Sequence, residues 1–187
     1  MGLIKDSKQD LKRLKYEYGV NPVLAILTNR GFHALLFYRI SYFLNSKRIP
    51  LVPLILTRVV QIMYAIDIDY RAKIEGGIVI IHGICTVIGL GSIVKSGTTI
   101  YHGVTLGRKK QGLIVSYDDG FPIVENNCLL GAGAKILGPI TIGANSVIGP
   151  NCVVMENVPE NFVIKFNDIY FIKKSKKSIN HLNQSIL

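Results

Sequence analysis

Apolar residues recur at every sixth position through the middle of the chain: Ile88, Val94, Ile100 and Leu106, then Val124, Leu130, Ile136, Ile142, Ile148 and Val154. Four places after these anchors stand small or β-branched residues: Ser92, Thr98, Val104, Ala134, Ile140, Ser146, Cys152 and Val158. A helix repeats near 3.6 residues and a simple strand at two, so a period of six punctuated by glycine and asparagine predicts neither alone. It predicts a parallel β-helix, in which short strands and tight turns form coils that stack on one another. Ile74 and Ile80 extend the pattern upstream, and two extra residues, Thr86 and Val87, shift its phase just after His82. Between Leu106 and Val124 the pattern fails over "GRKKQGLIVSYDDGFPI", which predicts a loop thrown out from the stack. Upstream of Asp67 the texture is helical, in "LAILTNRGFHALLFYRISYFL" and "PLILTRVVQIMYAI". The predicted organisation is a helical part over 1–66, a β-helix over 67–164 with a loop near 107–123, and a basic tail over 165–187.

The apolar run from Ile49 to Ile66 approaches the length of a bilayer span. Arg58 and Gln61 interrupt it and Pro50 and Pro53 sit at its start, so it is expected to be a buried helix, with peripheral membrane contact as the lesser reading. At 187 residues, 49% of them hydrophobic, the chain can bury a sizeable core. Cys85, Cys128 and Cys152 are odd in number and lack disulfide-framework spacing; with no signal peptide before them, a reduced, cytoplasmic setting is expected.

The net charge of +10 is carried by Lys5 to Lys15, by "GRKK" at Gly107 to Lys110 and by "KKSKK" at Lys173 to Lys177. These clusters lack interleaved aromatics and a recognition motif, so nucleic acid is not an expected partner. Both terminal clusters read as solvated ends. The central cluster lies in the most ordered part of the chain, where a polyanionic small molecule such as a nucleotide cofactor could use it.

His82 stands in "GGIVIIHGICTVIG", a stretch without a charged residue. From the residues alone it reads as a satisfied histidine on a buried turn. Several segments in order alter that reading: "GFHALLFYRI" from Gly31, "HGICTVIG" from His82, "HGVTLG" from His102, "GAGAKILGPITIG" from Gly131 and "VMENVP" from Val154. Together they resemble the bacterial serine acetyltransferase family over about residues 21–159. The resemblance implies a left-handed parallel β-helix, a homotrimer or dimer of trimers, acetyl-CoA as co-substrate without a metal, and active sites between subunits. It also implies that His82 is the catalytic base that takes the proton from the acceptor hydroxyl. Imidazole suits that task because it titrates near neutral pH.

His102 is the second catalytic candidate, about one coil after His82, where the serine enzymes usually carry glutamine. The two could share a corner of the stack or face each other across an intersubunit cleft. His33 and His181 are given no catalytic role. The resemblance places the donor against Gly131, Ala132, Gly133 and Pro150, with Gly107, Arg108 and Lys165 near its phosphates, although small residues also simply make tight turns.

Three departures bear on the acceptor. Ile81 stands where the family has an aspartate, Asn21 where it has the aspartate of an Asp-Pro pair, and Gly120 and Phe121 where it has an arginine and a histidine. The loss of these charges points away from free serine and toward a sugar or glycan acceptor, as in exopolysaccharide and O-antigen O-acetyltransferases of the same superfamily. Tyr101, Asp118, Asp119 and Phe121 are then the acceptor-binding candidates, with Tyr117 as a further aromatic. Serine acetylation and a non-catalytic scaffold remain as alternatives. With Ile81 in place of the aspartate, the group orienting His82 is open among Asp67, Asp69, Asp118 and Asp119.

Overall fold

The computed structural model describes residues 2–109 and 120–166. Four helices come first: α1 (Leu3–Tyr18), α2 (Pro22–Thr28), α3 (Arg30–Ser46) and α4 (Val52–Tyr64). Short parallel strands follow. β1 (Ile66–Ile68), β4 (Thr86–Ile88), β7 (Thr105–Gly107), β10 (Lys135–Leu137) and β13 (Val153–Val154) stack in one sheet. A second sheet holds β2 (Lys73–Ile74), β5 (Ile93–Val94), β8 (Ile123–Val124) and β11 (Thr141–Ile142). The third holds β3 (Val79–Ile81), β6 (Thr99–Tyr101), β9 (Leu129–Leu130), β12 (Val147–Ile148) and β14 (Val163–Ile164). From β1 to β13 successive strands visit the three sheets in turn, and an isolated bridge of Val158 to Ile142 stands for the second sheet before β14, which is the predicted parallel β-helix.

The sixfold period becomes a core because each anchor occupies the inward position of its strand. Val94, Ile100, Leu106, Val124, Leu130, Ile136, Ile142 and Ile148 are completely buried. The small residues four places on, such as Ser92, Thr98, Ala134 and Ser146, are buried too, since a turn inside the coil has no room for a larger side chain. Asn127, Asn145 and Asn161 take positive φ at successive turns, and their side-chain amides form a ladder at 3.3 and 3.2 Å.

The phase shift lies elsewhere than expected. Thr86 and Val87 are regular members of β4, paired with Ile66 and Asp67. The extra length is in the corner between β3 and β4, where His82, Gly83 and Cys85 all have positive φ. That corner widens its coil to 20 residues, as the pairing Val79 to Thr99 shows, against 18 for Val87 to Thr105.

The helical part departs from the prediction in three respects. The first long apolar segment is broken at Asn29, whose side chain accepts from the Phe32 amide and starts α3. The lysines near the N-terminus are solvated, but they belong to the well-formed helix α1, which docks on the coils. Arg13 donates to the carbonyls of Gly77 and Thr98 and to Thr99 Oγ1. The Ile49–Ile66 run is helical in α4, yet Leu54, Ile55, Ile62 and Met63 are exposed, with Ile62 at 84%. Only Pro53 and Val60 of α4 are buried, because a single helix on the outside of the bundle has one face to hide. Among the described residues no helix is long and apolar enough to cross a membrane.

A buried ion pair joins the helices to the β-helix. Arg39 of α3 holds Asp10 of α1 through two hydrogen bonds of 2.9 and 3.0 Å and donates to the carbonyls of Ile74 and Glu75. Asp10 also accepts from the Ile78 amide at 2.9 Å. Burial pushes the Asp10 carboxyl up to about 6, against the lowering pull of Arg39.

Candidate active site

Because Ile81 pairs with Tyr101 across adjacent coils, the residues that follow them, His82 and His102, stand one above the other at the same corner. Their ring centroids are 6.1 Å apart with an edge-on angle of 66°. Both side chains are exposed, and His82 has no hydrogen-bond partner among the described residues. A satisfied histidine on a buried turn is therefore excluded. An imidazole held out at a widened corner, with both ring nitrogens open, is chemically available as a base.

The same corner continues up the stack. Ile100 pairs with Leu130 and Leu130 with Ile148, which sets Ala132 and Pro150 above the histidines, and the pairing of Ile148 with Ile164 sets Lys165 above Gly149, one position before this column. Glycine is obligatory at Gly131, where a Cβ would lie 2.7 Å from the Pro150 nitrogen and 2.8 Å from the Ile148 carbonyl oxygen. At Gly133, with φ of 73°, a Cβ would meet the Asn151 side chain at 2.1 Å. The "GAGA" segment is thus a requirement of close coil stacking, and it leaves a bare edge as a consequence. Lys135, which the repeat pattern gave no reason to single out, donates its ammonium to the Gly103 carbonyl beside His102.

Other candidates lie apart within one chain. Gly107 ends β7 and Arg108 follows it, at the corner leading toward the second sheet. Arg108 stacks over the Phe121 ring at 4.8 Å, and its buried Nε has no hydrogen-bond partner among the described residues. Phe121 is 9% exposed and packs on Gly89, so it fills a gap in the stack and presents little surface to an acceptor. Tyr101 is half-buried beside His102. Tyr117, Asp118 and Asp119 lie outside the described residues, as does His181. Of the carboxylates considered for orienting His82, Asp69 is engaged by Arg71 at 2.7 Å and Asp67 accepts from Gln61 at 3.4 Å. His33 has both ring nitrogens occupied, by the Tyr64 hydroxyl at 2.9 Å and the Ile26 carbonyl at 2.7 Å, and is structural.

A cleft of about 390 Å³ opens beside His82, between the helices and β3. Tyr18, Val20, Leu24 and Arg30 line it from the helical part, and Ile81 and His82 from the end of β3. Gly31 allows this approach: its Cα lies so close to β3 that a Cβ would sit 2.1 Å from the Ile80 carbonyl oxygen. Sequence periodicity could not have found the cleft, since it arises where two elements distant in the chain meet.

Coils of this repeat, with an available imidazole at the corner, define the class of hexapeptide-repeat transferases. Residues 121–155 match the family described as bacterial transferase hexapeptide (six repeats). A serine acetyltransferase of Buchnera aphidicola subsp. Schizaphis graminum is 36% identical over 184 residues, 97% of this chain and 68% of that protein. The crystal structure of Neisseria gonorrhoeae serine acetyltransferase in complex with serine superposes with a TM-score of 0.81 at 28% identity, covering 88% of this chain and 67% of that one. A serine acetyltransferase in complex with CoA superposes with a TM-score of 0.79 at 31% identity, covering 86% and 66%. The chain belongs to the serine acetyltransferase family of hexapeptide-repeat acyltransferases. It spans 57 to 68% of the length of its curated relatives from Synechococcus elongatus and Buchnera.

This kinship corrects the expectation of a sugar or glycan acceptor and of an exopolysaccharide or O-antigen role. The relatives in sequence and in structure are serine acetyltransferases. The expectation weighed the charges missing at Ile81, at Asn21 and at Gly120 and Phe121, and assumed that no other part of the chain could supply them.

Proposed function

We propose that this chain is an acetyl-CoA-dependent serine O-acetyltransferase with His82 as its general base. The observation that carries the reading is the exposed imidazole of His82, lining the cleft with no hydrogen-bond partner among the described residues, in a chain 36% identical to a serine acetyltransferase over 97% of its length. His82 removes the proton from the serine hydroxyl as its oxygen attacks the thioester carbonyl. The C–S bond then breaks, and the imidazolium returns the proton to the departing thiolate. His102, next along the corner, helps to position the acceptor hydroxyl and shares the proton. The bare edge at Gly131 to Gly133, with Pro150 and Lys165 above it, suits an extended donor arm ending in phosphates.

Gly107 and Arg108 stand at a different corner from the histidines, and an assembly in which one subunit's loop corner meets its neighbour's histidine corner would unite them. We therefore assign a homotrimer, or a dimer of trimers, as the working form. The direct test is incubation with acetyl-CoA and L-serine, following thiol release and O-acetylserine together. Stoichiometric formation of both is expected; thiol release without O-acetylserine, or neither product, overturns the reading.

A further inference from the structure

Resting on the serine reading above, we propose that Arg30 reads the carboxylate of the acceptor and so sets its specificity. The lining of the cleft holds both an open base, His82, and one permanently charged side chain, Arg30. Among the described residues lining it, Arg30 is the only one with a full charge, and neither an aspartate nor a glutamate faces it there. The Arg30 side chain has no ion-pair or hydrogen-bond partner among the described residues. That contrasts with Arg13, Arg39 and Arg71, each of which is engaged by a carboxylate. A guanidinium left open on an apolar-walled cleft is an anion site in waiting, since its fork of N–H donors matches the two oxygens of a carboxylate.

Arg30 is also held in register with His82. It begins α3, whose start is secured by the Asn29 side chain on the Phe32 amide at 2.8 Å. The next residue, Gly31, is pressed against the Ile80 carbonyl, two residues before His82 in the chain. The base and the arginine are thus tied to the same strand, and an acceptor spanning them would present a hydroxyl to one and an anionic group to the other. L-Serine has both groups on a three-carbon frame. Arg30 takes the place of the loop charges that Gly120 and Phe121 do not provide.

The test compares L-serine with L-serinamide, which keeps the hydroxyl and the amine and loses the carboxylate charge, in the wild type, Arg30→Ala and Arg30→Lys. Arg30 is exposed, so neither substitution disturbs the core. For Arg30→Ala the KM for L-serine is expected to rise about 10- to 100-fold, as for loss of a charge-assisted contact, with kcat within about threefold. The KM for L-serinamide should be unchanged, and Arg30→Lys should recover part of the loss. A wild type active on L-serine whose Arg30→Ala variant keeps its KM overturns this assignment alone, as does an equal rise for serine and serinamide. A wild type inactive on L-serine overturns the proposed function and this assignment with it.

Discussion

At the scale of single residues, the most consequential conformation is that of His82, whose φ of 62° lies in the left-handed region. Only glycine, asparagine and aspartate enter that region readily, so the test substitution should respect it. His82→Asn is expected to lower turnover by about two to four orders of magnitude with unaltered thermal stability. His82→Ala should give the same loss of turnover with a small loss of stability; retention of more than a tenth of wild-type turnover by His82→Asn would make the residue structural. Arg39 supplies a second prediction at this scale. Arg39→Met leaves the buried Asp10 carboxylate without its cation, a change that costs about 3–5 kcal/mol in buried pairs. The Asp10 carboxyl is already raised from 3.8 to about 6 in the folded chain, and loss of the guanidinium moves it in the same direction. A raised folded-state value means stability that is present at low pH and is lost as pH climbs through that value. Denaturant titrations of wild type and variant should therefore diverge more at pH 8 than at pH 5. Equal differences at both would contradict the burial of an ionised Asp10.

Among elements, the contact of α3 with β3 controls the cleft. Gly31→Ala puts a methyl group where the Ile80 carbonyl stands, and backbone cannot yield as a flexible side chain would. We expect a destabilisation of about 1–3 kcal/mol and a displaced α3, with the KM for serine raised more than the KM for acetyl-CoA. A parallel rise in both would show that the cleft is not the acceptor's route. Asn29→Ala, which removes the α3 cap, is the milder control, at about 1 kcal/mol.

For the molecule as a whole, the β-helix leaves apolar side chains on its outside that a monomer would present to water. Val153 is 60% exposed, Phe162 53% and Val163 55%, all on or beside the upper coils. Burying such side chains between copies is favourable at about 25 cal/mol per Å² and builds the clefts that the separated corners need. Sedimentation velocity should show a trimer or a multiple of three. A monomer persisting at micromolar concentration would leave the Gly107 and Arg108 corner without a role in the histidine site.

What the sequence by itself determined was the coil. Inward positions such as Ile100, Leu130 and Ile148 are set by a local repeat, and a coil stacked on its copy buries the same positions each time, so period translates directly into core. The candidacy of His82 and His102 was legible too, through the motifs around them. That they share a corner was one of two arrangements their spacing allowed and only the structure chose it, since it depends on a corner lengthened at His82 to Cys85, and a count of residues cannot tell a longer turn from two extra residues at Thr86 and Val87. The exposure of Ile62 on α4 was equally hidden: hydropathy reports that a residue disfavours water, while the neighbours that would cover it come from elsewhere in the chain. The tertiary structure alone decided that Arg30, 52 positions before His82 in the chain, lines the same cleft. Charges missing at Ile81, Asn21, Gly120 and Phe121 are no measure of a site that folding assembles from several elements.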